Sequence, residues 1–129
     1  MYPEEFQYTK DHEWIRVDGD NGTIGITDHA QKELGDIVYV ELPASGDEVT
    51  AAEACGTVES VKAVSEIFSP VTGKVTAVNS KLQEQPELLN SDPHQGAWLI
   101  RVHLSDPKEV ENLMSSEEYE AYIREAESH

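Results

Sequence analysis

The chain has 129 residues, of which 9 are basic and 26 acidic, for a formal net charge of -17; that length suits one compact domain. Such a surface is a broad negative field that repels phosphate backbones and anionic lipid headgroups, which argues against nucleic acid and membrane surfaces as partners and leaves solubility or basic clefts on other proteins as its uses. Cys55 is the only cysteine, so neither an internal disulfide nor a multi-thiolate metal site can form, and no metal is expected.

The N-terminal run Met1-Tyr2-Pro3-Glu4-Glu5-Phe6 lacks the basic patch and apolar stretch of a targeting peptide. No segment is long and apolar enough to cross a bilayer, and the chain is expected to be soluble and cytoplasmic, of bacterial type. From Glu13 to Arg101 short β-branched runs alternate with turn residues, the pattern of a sheet-rich domain. Trp14 to Val17 and Thr23 to Ile26 flank Asp18-Gly19-Asp20-Asn21-Gly22, whose residues tolerate positive φ, so a hairpin is expected. A short helix follows, capped by Thr27 or Asp28, with Gln31 in capping-box spacing from Asp28, Ala30 and Leu34 on one face, and Gly35 at its exit. Ile37-Val38-Tyr39-Val40-Glu41-Leu42 is apolar on both faces at its start and stopped by Pro43, which predicts a central strand inside the core.

Gly46-Asp47-Glu48-Val49 turns the chain into another short strand. Gly56 to Ser69 reads as two strands joined by a tight connection near Ser60 to Ala63, and Pro70 and Gly73 mark the next turn. Lys74 to Val78 alternates as a further strand. Gly35 to Val40 echoes Gly73 to Val78 in its Gly, charge and Val placement, which fits a duplicated half-sheet. After Pro86 one helical turn spans Leu88 and Leu89, and Trp98 to Val102 forms the last strand. Asp106, Pro107 and Glu109 make an N-cap, a first-turn proline and a capping-box partner. Ser115 and Glu118 repeat the device before Tyr119, Tyr122 and Ile123, which share a helical face suited to packing on the sheet. The expectation is a single domain over residues 1–129, with a core at about 13–103 and a C-terminal helical segment at about 106–127.

Lys62 stands midway between the two strands of the Gly56 to Ser69 segment. A lysine at a hairpin tip projects an unhindered amine away from the sheet, where it either solubilises the turn or can be modified. Residue types alone leave both roles open.

The surrounding motifs narrow the choice. Asp11-His12-Glu13-Trp14, Gly25-Ile26-Thr27-Asp28-His29-Ala30-Gln31, Leu34 through Pro43, Glu59-Ser60-Val61-Lys62-Ala63, Ser69-Pro70-Val71 and Pro86-Glu87-Leu88-Leu89-Asn90 occur in order along nearly the whole chain. Together they resemble the H-protein of the glycine cleavage system. The resemblance implies a mainly β fold, a flattened barrel of the lipoyl and biotinyl carrier type made of two quasi-symmetric half-sheets, with short peripheral helices and a C-terminal helical segment.

It implies further that Lys62 carries lipoic acid in amide linkage, with Glu59, Ser60, Val61 and Ala63 as the context that a lipoylating enzyme recognises. The carrier would take the aminomethyl group of glycine from a pyridoxal-phosphate decarboxylase (the P-protein) to an aminomethyltransferase (the T-protein). It would then present the reduced arm to dihydrolipoyl dehydrogenase (the L-protein). Tethering raises the effective concentration at each site. Acidic contacts of a resting cleft for the arm align with Glu13 and Glu66, where relatives can have Asp at the latter, and with Asp11, where relatives can have Ser. The stretch Asp92-Pro93-His94-Gln95-Gly96-Ala97-Trp98 departs from the family pattern.

Other readings are weaker. Biotinyl carriers flank their lysine with methionines where Val61 and Ala63 stand, and acyltransferase lipoyl domains have Asp-Lys-Ala and a Pro/Ala-rich linker. An H-like lipoyl donor or redox scaffold outside glycine cleavage is the nearest alternative. A catalytic role would need Cys55 to act with one of His12, His29, His94, His103 or His129, and no spacing links them; a non-catalytic carrier is expected. The adjacent pairs Asp11-His12 and Asp28-His29 point to different sides and suit surface or capping roles.

Overall fold

The computed structural model describes residues 2–127. Nine strands, β1 (Phe6–Tyr8), β2 (Glu13–Asp18), β3 (Asn21–Ile26), β4 (Ile37–Glu41), β5 (Glu48–Val49), β6 (Ala54–Ser60), β7 (Val64–Phe68), β8 (Gly73–Val78) and β9 (Ile100–Leu104), form two antiparallel sheets. One has the order β1-β2-β3-β9-β8-β5, the other β4-β6-β7. Inward side chains of both, among them Ile15, Ile24, Val75 and Val102 from the larger and Val40, Val58 and Ile67 from the smaller, make one buried core. The arrangement is a flattened sandwich without full closure. The echoing segments lie in different sheets: β4 is an edge strand of the smaller and β8 runs between β9 and β5 in the larger.

Helices α1 (Asp28–Leu34), α2 (Lys81–Glu84), α3 (Leu88–Ser91) and α4 (Ser116–Glu127) decorate the sandwich, with a 3₁₀ turn over Pro107–Asn112. Thr27 caps α1 by accepting from the Ala30 amide at 3.2 Å, and Gln31 donates to Asp28 at 2.8 Å. Gly35 ends α1 at φ +84°, a conformation that favours glycine. Beneath α4 lies a second cluster: Phe6 stacks on Trp14 with centroids 4.4 Å apart, and Tyr8 on Tyr119 at 4.8 Å. Trp14 lies directly across Gly25, where a β-carbon would come within 2.5 Å of the indole, so only glycine fits opposite it. Of the expected face of α4, Tyr119 and Ile123 are buried and Tyr122 is partly so.

Ser115 and Glu118 form a reciprocal box, amide to carboxylate at 2.9 Å and amide to hydroxyl at 3.2 Å. Ser115→Ala is expected to lower stability by about 1 kcal/mol, read as a reduced urea midpoint with unchanged slope.

Several expectations need correction. β4 is not central: its sole strand partner is β6, and Val38 and Tyr39 are each 48% exposed, because a register shift between Ile37 and Tyr39 turns them outward. Glu109 does not complete a capping box; its carboxylate is taken by the Thr72 amide at 2.7 Å and the Thr72 hydroxyl at 2.9 Å. Asp106 still caps the turn by accepting from the Lys108 amide at 3.1 Å. The last strand begins at Ile100 instead of Trp98, and the fold adds β1 and α2 to the expected elements.

Candidate functional site

The hairpin β6–β7 ends in the turn Ser60-Val61-Lys62-Ala63, closed by the Ser60 amide donating to the Ala63 carbonyl at 2.8 Å. Ser60 builds that turn from within. Its hydroxyl, almost fully buried, accepts from the Lys62 amide at 3.3 Å and the Ala63 amide at 3.1 Å. The Val61 amide donates to the Asp36 carbonyl at 3.0 Å and fastens the tip to the start of β4. Lys62 therefore extends from a backbone held on both sides.

The Lys62 stem passes over Gly35, with Cε 3.5 Å from the place where a side chain on Gly35 would begin. The side chain is exposed, and the ion pairs among the described residues, Lys32 with Asp28 and His29 with Glu33, leave its amine without a carboxylate partner. Val61 (69% exposed) and Val64 (66%) flank the turn, and Val38 and Tyr39 are exposed on β4, the strand paired with β6. An uncharged acyl chain on the amine would lie against these side chains, and a modifying enzyme could reach Glu59, Val61 and Ala63, all exposed. The residues present fit a lipoyl amide: an exposed amine with no salt bridge among the described residues, on a turn held by hydrogen bonds from within. Ser60→Ala removes the hydroxyl that holds two amides. It is expected to cost about 1–2 kcal/mol, with faster hydrogen exchange at the Lys62 and Ala63 amides as the readout.

Glu13 is buried, at 2% exposure. It accepts from the Thr9 hydroxyl at 2.5 Å and from the Phe68 amide at 3.0 Å. Burial pushes its carboxyl up from 4.5 to about 7; nearby Asp11 adds to the rise and the two hydrogen bonds oppose it. Asp11 and Glu13 line one cavity of about 250 Å³, together with Ala52, Phe68, Pro70 and Leu113. Glu66 is outside that lining, exposed on β7. Along β7 the residues Val64, Glu66 and Phe68 alternate with Ile67, which points into the core. A path down this face from the tip thus meets Glu66 first and reaches the Glu13 cavity at Phe68.

The remaining candidates separate. Burial pushes the Cys55 thiol up to about 11, a protonated and unreactive state at neutral pH. The imidazole of His94 accepts from the Asp28 amide at 3.1 Å, and burial holds it below the usual range. His12 and His29, expected in separate surface or capping roles, meet with ring centroids 4.5 Å apart, a contact that their spacing in the sequence does not reveal. An open depression of about 730 Å³ over Trp14, Arg16, Arg101 and Trp98 lies on the larger sheet and does not include Lys62. Its rim contains His94, Gln95 and Gly96 of the departing loop, which the Trp14 indole fixes by donating to the Pro93 carbonyl at 3.0 Å. His129 lies outside the described residues.

With this geometry in place, comparison with known proteins is specific. The family model of the glycine cleavage H-protein matches residues 6–126. The glycine cleavage system H protein of Halothermothrix orenii is 54% identical over 125 residues, covering 97% of this chain and 98% of that one. That of Geobacillus kaustophilus is 55% identical over 123 residues, covering 95% and 97%. The crystal structure of a glycine cleavage system H protein from Mycobacterium marinum superposes with a TM-score of 0.88 at 36% identity, covering 95% of this chain and 99% of that one.

Proposed function

The chain belongs to the glycine cleavage H-protein family, and on that premise we propose that it is the lipoyl carrier of glycine cleavage, with lipoic acid in amide linkage on Lys62. The observation that carries the assignment is the Lys62 amine itself, exposed and without an ionic partner among the described residues, at the tip of a hairpin pinned to β4. When attached, the lipoyl group supplies a dithiolane that can be reduced and can bear a transferred group. The chain supplies position. Ser60 fixes the turn, so the arm swings from a rigid base; Val61, Val64 and Tyr39 offer apolar surface on which its carbon chain rests.

Glu66 and the Asp11–Glu13 cavity support a resting place for the far end of the arm. A cationic amine entering the cavity would hold Glu13 ionised against the burial that raises its pKa, so seating such a group and losing the Glu13 proton are coupled. The partners are then the pyridoxal-phosphate decarboxylase, the aminomethyltransferase, dihydrolipoyl dehydrogenase and a lipoylating enzyme, visited in turn by one tethered group. The lipoylated chain is expected to support glycine-dependent exchange of carbon dioxide when mixed with the decarboxylase. A fully lipoylated chain that gives no exchange would overturn the glycine cleavage assignment.

A further inference from the structure

The meeting of His12 and His29 involves a third group. On α1, Glu33 follows His29 by one helical turn, and its carboxylate lies 3.2 Å from His29 Nε2. One ligand atom from each of His12, His29 and Glu33 lies within 4.8 Å of the other two. None of the three belongs to the hairpin tip or to the Glu13 cavity.

His12 is held in an unusual way. Its φ is +69°, left-handed backbone that a side-chain-bearing residue adopts at a cost of about 1 kcal/mol. Two backbone bonds secure it: its amide donates to the Thr9 carbonyl at 3.2 Å, and its carbonyl accepts from the Thr27 amide at 3.0 Å. The second bond brings His12 to the N-terminus of α1, next to His29. The ring is then oriented from behind, because Nδ1 is 2.7 Å from the Tyr119 hydroxyl, which is itself 2.7 Å from the Thr27 hydroxyl. In the tautomer that donates from Nδ1 to Tyr119, the other nitrogen presents a lone pair. Fixing one imidazole nitrogen by a hydrogen bond so that the other can bind is the usual supporting arrangement around a metal ligand.

We propose that His12, His29 and Glu33 form a binding site for one divalent transition-metal ion of the zinc type. Two imidazoles and one carboxylate are a ligand set that zinc accepts, with water completing the shell. Metal–ligand distances of about 2.0–2.2 Å put ligand atoms in a tetrahedral shell roughly 3.3 Å apart, so the trio must close by about 1–2 Å. The imidazoles already touch, and Glu33, whose side chain is 67% exposed, supplies the movement. The charge of -17 raises the local concentration of any cation. That field does not choose between metals, whereas imidazole nitrogen favours zinc over magnesium and calcium.

The test is titration of the full-length chain with zinc chloride at neutral pH, in physiological salt with excess magnesium, followed by calorimetry. One saturable site per chain is expected, weakened about tenfold or more in His29→Ala and in Glu33→Gln. His12→Ala also removes the Tyr119 contact and could unfold the region, so ring resonances of the unaltered protein give the second readout. Zinc should shift those of His12 and His29 and leave those of His94 and His103 in place. No saturable binding in the presence of magnesium, an affinity unchanged in His29→Ala, or shifts confined to other histidines would overturn the proposal. The result does not depend on whether Lys62 is modified.

Discussion

Substituting arginine for Lys62 is expected to abolish lipoylation and all carrier activity in glycine-dependent carbon dioxide exchange, while changing stability by no more than about 0.5 kcal/mol. The asymmetry follows from where the side chain sits. Its backbone amide is held by Ser60, and arginine keeps that amide, the positive charge and a long apolar stem over Gly35. Arginine cannot form the amide, because its guanidinium stays protonated and is not an acyl acceptor. Carrier function is lost and the fold is kept. The paired measurements are intact mass after expression in lipoate-competent cells and a urea melt. A modified Lys62→Arg protein would place the attachment elsewhere, and an unfolded one would mean that the tip contributes to the core.

The buried Glu13 carboxyl makes the second large effect, and it is one of pH. In the folded chain the group holds its proton up to about 7, against 4.5 as its ordinary value. A raised carboxyl pKa stabilises the native state fully below 4.5, and that contribution is lost as pH rises through about 7. Glutamine keeps the side chain neutral throughout. The unfolding free energy of the native sequence, measured relative to Glu13→Gln, is therefore expected to fall by roughly 3 kcal/mol between pH 4.5 and about 7 and to level off above. Comparing the two proteins removes the other carboxylates, which titrate alike in both. A difference that stays constant over this range would show that Glu13 is ionised throughout, its bonds to Thr9 and Phe68 outweighing burial.

Local patterns carried much of the fold. The β2–β3 hairpin, the Thr27 cap, the Gly35 exit, the β6–β7 hairpin and the Ser115–Glu118 box each depend on residues close in sequence, where turn and cap chemistry is specific. Lys62 was placed at its tip by the same reasoning. What escaped was set by distant partners. The apolar run of β4 cannot reveal that only β6 pairs with it and that a bulge turns Val38 and Tyr39 outward. Glu13 reads as one acidic residue among many; it is buried because its strand brings it under Thr9 and against the Phe68 amide. Glu109 had the spacing of a cap and was drawn off by Thr72. The apposition of His12 and His29 follows from the bond between the Thr27 amide and the His12 carbonyl, which joins the start of β2 to the start of α1. Ser60 lies between these cases: its position beside the tip was evident, but its buried hydroxyl, bonding two amides of the turn, was not.

The carrier role rests on one amine, that of Lys62. Peptide mass mapping of the chain purified from cells competent in lipoate attachment locates any acyl group among its lysines. A lipoyl mass on the peptide containing Lys62, and on no other lysine, is the result expected from an exposed amine on a Ser60-built turn. A native chain from such cells with Lys62 unmodified, or with lipoate on a different lysine, would contradict it.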